Sequence, residues 1–227
     1  MPNKNWTLSP SDFAFLWEEC KRCFYLKIVS SFRRPGGPMP KIFTVIDEQM
    51  KVHFTGKRTS DVLPALPSGI LDPSGSWVQS TPLTVPRHSS TCVIRGKLDS
   101  IVKFDDGTYG VIDFKTSATK AEHVPLYGRQ LHAYALALEN AAPGNLALRP
   151  ITKLGLVVFE PHNFSGEHNT PAALTGGLSW VEAPRNDAAF LAFLAEVLDV
   201  LELPNPPGGS AACEWCQYRD TSRRTGL

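Results

Sequence analysis

The sequence predicts an α/β domain in which helices precede, separate and follow a small mixed β-sheet. Three patterns indicate this class. Apolar residues recur at helical spacing near the N-terminus, a hairpin pattern occupies residues 96–117, and an unbroken apolar run of strand length occupies residues 154–159. With 227 residues, of which 42% are hydrophobic, the chain can bury a substantial core in one domain.

The first helix is predicted to begin after Ser9, a capping residue that is followed by Pro10 at the first helical position. Its apolar stripe continues to about Lys27 and consists of Phe13, Leu16, Trp17, Cys20 and Phe24. A connector rich in proline and glycine follows over residues 34–40. We therefore expect one continuous amphipathic helix before the connector.

A second helix is predicted over residues 41–54, with four apolar side chains facing inward: Ile42, Val45, Ile46 and Met50. Irregular sequence with several prolines then leads to a predicted strand near residues 76–85.

After the hairpin, a long helix is predicted over residues 121–140, and the apolar run at 154–159 suits a buried central strand. Asn186 is expected to cap the last helix. A loop at residues 204–209 then leads to a short tail, which contains two cysteines and is expected to be loop-like.

The hairpin pattern consists of two apolar-rich strands around an Asp-Asp-Gly turn at residues 105–107, where glycine suits a position of positive φ. We expect Phe104 to pair with Thr108, which sets the register. Ile101 and Val111 then share one face, and the opposite face is apolar enough to be core: Leu98, Val102, Phe104, Ile112 and Phe114.

This register places Asp99 opposite Asp113 and Lys97 opposite Lys115, so that both carboxylates and Lys115 share one face. Like charges directly opposed weaken a sheet, and a divalent cation between the carboxylates would remove the repulsion. The alternative is a solvated ladder of mixed charges with little consequence. A slip of one residue would put the two carboxylates on opposite faces.

Four of the five cysteines form two C-x-x-C pairs, one near each end of the chain: Cys20, Cys23, Cys213 and Cys216. This distribution favours metal binding over disulfides, and four thiolates suit zinc or an iron–sulfur cluster about equally. The alternative is that the first pair consists of small core residues. Cys92 has no partner in the sequence and is expected to be buried.

Tyr127, Gln130 and Tyr134 are spaced to share one face of the long helix, where they suit contacts with phosphate or bases. Half-buried packing is the alternative. Eight basic residues suit phosphate contacts or, equally, scattered solvated charge: Lys21, Arg22, Lys27, Arg33, Arg34, Arg219, Arg223 and Arg224.

With a net charge of +1, the protein as a whole has no strong positive field that would attract it to nucleic acid or membrane. Any basic surface that binds phosphate must therefore be local. No run of apolar residues reaches the length of a signal peptide or a transmembrane helix, and we expect a cytoplasmic protein without a membrane partner. Gly56-Lys57 lacks the spaced glycine of a phosphate-binding loop, which excludes an ATPase motor of that type.

Three motifs follow one another along the chain: Gly-x-x-Asp ending at Asp99, hydrophobic-Asp-x-Lys at residues 112–115, and Gln-x-x-x-Tyr at residues 130–134. In this order they resemble the PD-(D/E)XK nuclease superfamily in its RecB-like branch. The opening helix, which ends in cysteine, basic residues and Phe-Tyr, and the tail CEWCQYR resemble the same branch. The combination is similar to the CRISPR-associated RecB-type exonucleases.

The resemblance implies a restriction-endonuclease-like core, a small mixed sheet flanked by helices, with the N- and C-terminal segments joined by a cysteine metal staple. It implies one nuclease domain over residues 1–227. Within it we expect an N-terminal cysteine helix and connector (1–40), a nuclease core (41–203) and a C-terminal cysteine tail (204–227).

The implied activity is that of a deoxyribonuclease dependent on Mg²⁺ or Mn²⁺, acting as an exonuclease on single-stranded DNA or DNA ends. Asp99, Asp113 and the Phe114 carbonyl would bind the metal, and Lys115 would orient the attacking water or stabilise the transition state. The catalytic set is thus Asp99, Asp113 and Lys115. Two further residues, Gln130 and Tyr134, would position the DNA.

CRISPR spacer acquisition or DNA recombination and repair is the implied setting, with a CRISPR integrase or recombination proteins as partners. The sequence departs from this branch in the tail, where Thr221 or Ser222 stands near the expected third cysteine and Cys23 is a candidate replacement. The resemblance favours a [4Fe-4S] cluster, with Zn²⁺ as the alternative. A metal ligand before the hairpin has three candidates, none of which matches the branch: Asp47, Glu48 and His53.

Two other interpretations stay open. One is a catalytically weak nucleic-acid-binding subunit of a DNA-processing complex, against which the intact Asp99, Asp113 and Lys115 argue. The other is a zinc-stapled interaction module, which leaves the hairpin carboxylates unexplained.

Overall fold

The computed structural model describes residues 4–37, 40–72, 75–116 and 123–226. The helices in these ranges are α1 (Pro10–Ala14), α2 (Leu16–Glu19), α3 (Lys21–Val29), α4 (Lys41–Phe54), α5 (Thr59–Val62), α6 (Val124–Glu139), α7 (Asp187–Leu201) and α8 (Glu214–Thr225). The strands are β1 (Asn5–Leu8), β2 (Gly69–Asp72), β3 (Trp77–Gln79), β4 (Leu83–Thr84), β5 (Thr91–Lys97), β6 (Ser100–Phe104), β7 (Tyr109–Lys115), β8 (Ile151–Ser165) and β9 (Ala173–Glu182).

The strands form two sheets. The larger has the order β2-β6-β7-β8-β9, in which β7 and β8 are parallel and the other neighbours are antiparallel. In the smaller, β5 pairs with β1 in parallel and with β3 and β4 in antiparallel fashion. The larger sheet is therefore mixed, and the predicted α/β class with helices flanking a mixed sheet is confirmed.

Two apolar cores cover the two faces of the larger sheet. The larger core contains Ile101 and Val111 together with side chains of α6 and α7, and the smaller contains Met50 and Phe54 of α4. Four residues of the predicted core face lie in the smaller core: Val102, Phe104, Ile112 and Phe114. The fifth, Leu98, lies in the larger core instead. A sheet buried on both faces leaves its strand ends as the places where polar side chains can gather.

The hairpin register is confirmed, because Ser100 pairs with Ile112 and the Phe104 amide donates to the Thr108 carbonyl at 2.9 Å. The expected pairing of Lys97 with Lys115 is wrong. The chain bends at Leu98 and Asp99, between the end of β5 and the start of β6, and Lys97 pairs with Trp77 in the smaller sheet. One predicted strand thus becomes two strands that join both sheets.

The predicted continuous first helix is also wrong, since the structure divides it into α1, α2 and α3. Cys20 separates α2 from α3 with an extended backbone, at φ −164° and ψ 106°. The break lets the chain change direction, so that both Cys20 and the following turn with Cys23 reach the cysteines of the tail.

The second helix has the predicted bounds, Lys41–Phe54, but Ile42 and Val45 are exposed rather than inward. Met50 and Phe54 are buried in the smaller core, and the partly buried Ile46 packs against it. The prediction thus holds for Ile46 and Met50, whereas the first turns of α4 lie at the surface.

Asn186 caps α7 as predicted, because its side chain accepts a hydrogen bond from the Ala189 amide at 2.9 Å. The tail, however, is helical rather than loop-like. Its sequence is too polar to show apolar periodicity, and the buried residue of α8 is Cys216. None of the described helices is long and apolar enough to cross a membrane.

Gly155 on β8 gives a test of this packing. A Cβ there would overlap the Trp180 ring and lie 2.6 Å from the Val181 carbonyl oxygen on β9. We expect Gly155→Ala to lower the free energy of unfolding by about 1–3 kcal/mol in urea titrations, because the neighbouring backbone cannot move away without breaking the β8–β9 pairing.

Gly177→Ala on β9 is the matched control, since no atom lies within 4 Å of its added Cβ. We expect that variant to stay within about 0.5 kcal/mol of the wild type. Equal stability of the two variants would contradict the described contact between β8 and β9.

Candidate active site and cysteine cluster

The bend between β5 and β6 brings Asp99 to the carboxyl end of β7. Asp99 lies one residue before β6, and its Oδ2 accepts a hydrogen bond from the Phe114 amide at 3.3 Å. This contact places its carboxylate beside the Asp113-Phe114-Lys115 segment, as the hairpin register predicts.

Asp113 is the buried member of the pair, with a side chain that is only 6% exposed. Its Oδ1 accepts a hydrogen bond from the Gln130 amide nitrogen of α6 at 3.1 Å. Its Oδ2 forms an ion pair with the Lys115 ammonium but makes no hydrogen bond of normal geometry. Asp113 Oδ2 therefore has the Lys115 ammonium as its partner, and carboxylate oxygens held beside a second carboxylate fit ligand atoms for a divalent cation.

Burial raises the pKa of the Asp113 carboxyl to about 7, against the attraction of the Lys115 ammonium and with a contribution from the Asp99 carboxylate. For Lys115, burial disfavours the charged form, but the Asp113 carboxylate outweighs burial and raises the pKa. A raised Lys115 pKa presupposes an ionised Asp113. Burial beside a second carboxylate opposes ionisation of Asp113, so Asp113 is the group expected to titrate near neutral pH.

Lys51 of α4, which sequence analysis does not single out, also reaches this site. Its ammonium lies 2.9 Å from Asp99 Oδ1 and 2.8 Å from Asp47 Oδ2. Of the three upstream candidates, Asp47 is thus linked to the site, whereas Glu48 is exposed and the exposed His53 contacts Lys57. The spacing of four residues between Asp47 and Lys51, which puts both on one face of a helix, is the sequence pattern that indicates their ion pair.

The predicted face of α6 points toward the two carboxylates. The Tyr134 hydroxyl donates to the Lys97 carbonyl at 2.6 Å, and the Lys115 ammonium lies 4.7 Å from the centre of the Tyr127 ring. Gln130 and Tyr134 therefore each have a protein partner, and their contacts with DNA stay predictions. The Phe114 side chain stacks on Phe54 in the smaller core, so any role of Phe114 at a metal would belong to its backbone.

Asp99 and Asp113 open into a cleft of about 770 Å³. Four basic residues line it: Lys27, Arg33, Arg95 and Lys97. Lys27 pairs at 2.5 Å with Asp12, a buried residue of α1 that sequence analysis does not single out. Positive side chains around two carboxylates suit a polyanion whose phosphate is brought to a metal.

The four paired cysteines lie together, with their Sγ atoms within 4.8 Å of one another. Cys20 and Cys216 are 3.6 Å apart, and Cys23 lies 3.6 Å from Cys216 and 3.7 Å from Cys213. All four are buried, and no disulfide joins them. The cluster links α3 to α8, which confirms the predicted junction of the N- and C-terminal segments.

Polar neighbours favour thiolates in this cluster. Burial disfavours the charged form of Cys20, but backbone hydrogen bonds from Ser210 and Cys23 outweigh burial and lower its pKa to about 6. Arg34 donates to Cys213 Sγ at 3.1 Å. Burial raises the pKa of Cys23 and of Cys216, so the four thiols do not all ionise at neutral pH without a cation.

Cys92 lies apart from this cluster in the larger core, where burial raises its pKa to about 12. Its expected burial is confirmed. Four converging sulfur atoms without disulfides fit a thiophilic metal.

Comparison with known proteins agrees with this geometry. The chain matches the family model of the PD-(D/E)XK nuclease superfamily over residues 43–221. Because that match includes most of the chain, the protein belongs to the PD-(D/E)XK nuclease superfamily, whose members are nucleases that generally depend on divalent metals. The narrower resemblance to CRISPR-associated enzymes stays a prediction.

Among solved structures, the crystal structure of SSO0001 is similar over 88% of this chain and 79% of its own, with 15% identity and a TM-score of 0.49. A likeness at this level supports no statement about activity. No curated protein sequence matches the chain.

The raised pKa of Asp113 gives a prediction about metal binding. If the two carboxylates hold a divalent cation, Asp113 must be ionised in the bound state. Below its pKa of about 7, binding must therefore release up to one proton, and the affinity should fall by about tenfold per pH unit.

Calorimetric Mn²⁺ titrations in buffers of different ionisation enthalpy measure the protons released at about pH 6 and about pH 8.5. We expect release at the lower pH only, and none from Asp113→Asn. Equal release at both pH values would contradict the assignment of this titration to Asp113.

Proposed function

We propose that this protein is a Mg²⁺- or Mn²⁺-dependent deoxyribonuclease that hydrolyses phosphodiester bonds at Asp99, Asp113 and Lys115. One observation carries the proposal: the buried Asp113 carboxylate, which is paired with the Lys115 ammonium, lies beside Asp99 in a cleft lined by basic residues. A solvated charge ladder would not bury its central carboxylate.

The two carboxylates and the Phe114 carbonyl are the proposed ligands for the divalent cation. When bound, that cation supplies Lewis acidity, which polarises a phosphodiester oxygen and lowers the pKa of a water molecule. The donor set of hard oxygen atoms fits Mg²⁺ or Mn²⁺. Lys51 offsets the charge of Asp99 and Asp47 when no cation is bound, and Asp47 is the proposed upstream acidic residue.

Lys115 is proposed to orient the attacking water or to stabilise the negative charge that develops on the phosphoryl oxygens. Its ammonium is held between the Asp113 carboxylate and the Tyr127 ring, which keeps it charged and directed toward the site. Gln130 holds the Asp113 carboxylate in position through its amide, and is thus proposed as a positioning residue.

Single-stranded DNA or DNA ends are the proposed substrates, and exonuclease action in CRISPR spacer acquisition or DNA recombination and repair is the proposed setting. These details rest on the resemblance to the RecB-like branch. A catalytically weak DNA-binding subunit is the alternative, and the intact pair of Asp113 and Lys115 favours the nuclease.

The cysteine cluster is proposed to hold one Zn²⁺. Tetrahedral zinc with bonds of about 2.3 Å to four thiolates spaces the sulfur atoms by roughly 3.8 Å. Three of the six Sγ separations, at 3.6, 3.6 and 3.7 Å, agree with that spacing, and the others are within 4.8 Å. A [4Fe-4S] cluster places iron and sulfide between the thiolates and so holds them farther apart. The iron–sulfur cluster remains the alternative that the resemblance implies.

The nuclease proposal predicts that the protein degrades DNA only with added Mg²⁺ or Mn²⁺. Asp113→Asn removes a ligand charge and Lys115→Met removes the ammonium, so we expect each to reduce cleavage by roughly 10²- to 10⁴-fold. Cleavage of end-labelled DNA resolved by length measures the rates, and thermal unfolding checks that the variants stay folded.

Lys153→Met is the control for the lysine variant. Lys153 pairs with Glu182 at 2.8 Å outside the cleft, so its loss should leave cleavage unchanged. Undiminished cleavage by both Asp113→Asn and Lys115→Met would refute the site. DNA binding by a wild type that never cleaves would support the alternative subunit.

The zinc proposal predicts a colourless protein with one zinc per chain after anaerobic purification. Cys23→Ser should lose the metal and unfold at a lower temperature, because the link between α3 and α8 is lost. Cys92→Ala is the matched control, since Cys92 lies outside the cluster. A brown protein with about four irons per chain would show the iron–sulfur alternative instead.

A further inference from the structure

A second pocket, of about 370 Å³, opens beside the cysteine cluster between the connector after α3 and the start of α8. Three aromatic residues line it: Phe32, 59% exposed, Trp215, 40% exposed, and Tyr218, 75% exposed. We call this the aromatic pocket. Its volume is in the range of roughly 300–1,000 Å³ that ligand sites occupy. Three large rings left exposed in one concavity indicate a ligand rather than packing within the chain.

The charge of the aromatic pocket favours an anionic ligand. Within the described part of the chain, no acidic residue lines it. Four arginines do so: Arg33, Arg34, Arg219 and Arg223. Arg34 pairs with Glu19, and Arg219 contacts Asp220. Arg33 and Arg223 are exposed and make no hydrogen bond or ion pair with any described residue. Their guanidinium groups are available for phosphate.

Arg33 lines both the aromatic pocket and the catalytic cleft, so the two are neighbours at this residue. A strand that contacts Arg33 is therefore adjacent to both cavities. The cysteine cluster fixes this arrangement, because Cys23 and Cys216 form part of the pocket wall.

We infer that the aromatic pocket binds unpaired bases of a DNA strand whose backbone passes Arg33 into the catalytic cleft. This inference rests on the proposed nuclease function and adds a binding site for the bases of its proposed single-stranded substrate. Aromatic rings stack on base faces, which a duplex keeps inside its own stack. A purely apolar peptide would fill the pocket without using Arg33 and Arg223, so single-stranded DNA is the occupant that accounts for both features.

Fluorescence anisotropy with a labelled oligothymidylate tests the inference on the full chain, without added divalent cation so that the strand stays uncut. An abasic oligomer of equal length has the same phosphates but no bases. We expect the wild type to bind oligothymidylate at least about fivefold more tightly than the abasic oligomer, and Phe32→Ala/Tyr218→Ala to lose that preference.

Phe43→Ala/Phe164→Ala is the matched control, because both side chains are exposed aromatics outside the aromatic pocket and the cleft. It should keep the wild-type preference. Tyr218→Ala alone is the second variant, and we expect an intermediate loss; at 75% exposure its truncation leaves the fold intact. Metal content and circular dichroism are compared for every variant.

The salt dependence tests the path past Arg33. We expect Arg33→Gln to reduce the slope of log affinity against log salt by about 0.7, the value for one lost phosphate contact on a single strand. A purely structural role for Arg33 would leave this slope unchanged.

Equal binding of oligothymidylate and abasic oligomer by the wild type would overturn the inference, as would an unchanged preference in Phe32→Ala/Tyr218→Ala. Either result in a protein that cleaves DNA refutes the aromatic pocket alone. Base-dependent binding without any metal-dependent cleavage supports the pocket and refutes the nuclease proposal.

Discussion

Burial of the Asp113 carboxylate is the constraint on which the catalytic region depends. A charged group removed from water is costly unless other groups compensate it, and here each compensating group comes from a different part of the fold. Gln130 of α6 donates to one oxygen of Asp113, and Lys115, which lies on β7 with Asp113, pairs with the other oxygen. The β5–β6 bend brings Asp99 alongside. The sheet, the bend and α6 must therefore be correctly placed together, which ties the site to the whole domain.

The cysteine cluster imposes a second constraint at the edge of the domain. It joins α3 to α8, two segments at opposite ends of the chain that share little apolar surface. The same junction forms the aromatic pocket and holds Arg33 at the border of the cleft. A structural metal there would thus affect substrate binding without contacting the catalytic carboxylates, because it would hold the residues that line the aromatic pocket in place.

Three predictions that rest on local sequence patterns are correct. The hairpin register follows from the turn at residues 105–107, the bounds of α4 from its periodicity, and the start of α7 from the Asn186 cap. Two of the predictions that were wrong concern the first helix and the tail, where tertiary contacts decide the local structure. Cys20 interrupts a helix whose apolar stripe is continuous in sequence, because the cysteine cluster requires a change of direction there, and α8 is helical although its polar sequence gives no periodic signal.

The sequence by itself determined which residues are candidates for chemistry: Asp99, Asp113, Lys115 and the two cysteine pairs. It did so because turn geometry, the two-residue period of a strand and the spacing of paired cysteines are short-range properties. Only the tertiary structure decided that Lys51 reaches Asp99, that Lys97 leaves the hairpin for the other sheet, and that Arg33 lies between the cleft and the aromatic pocket. Those relations depend on how separate elements pack, and no local pattern encodes the distance between them.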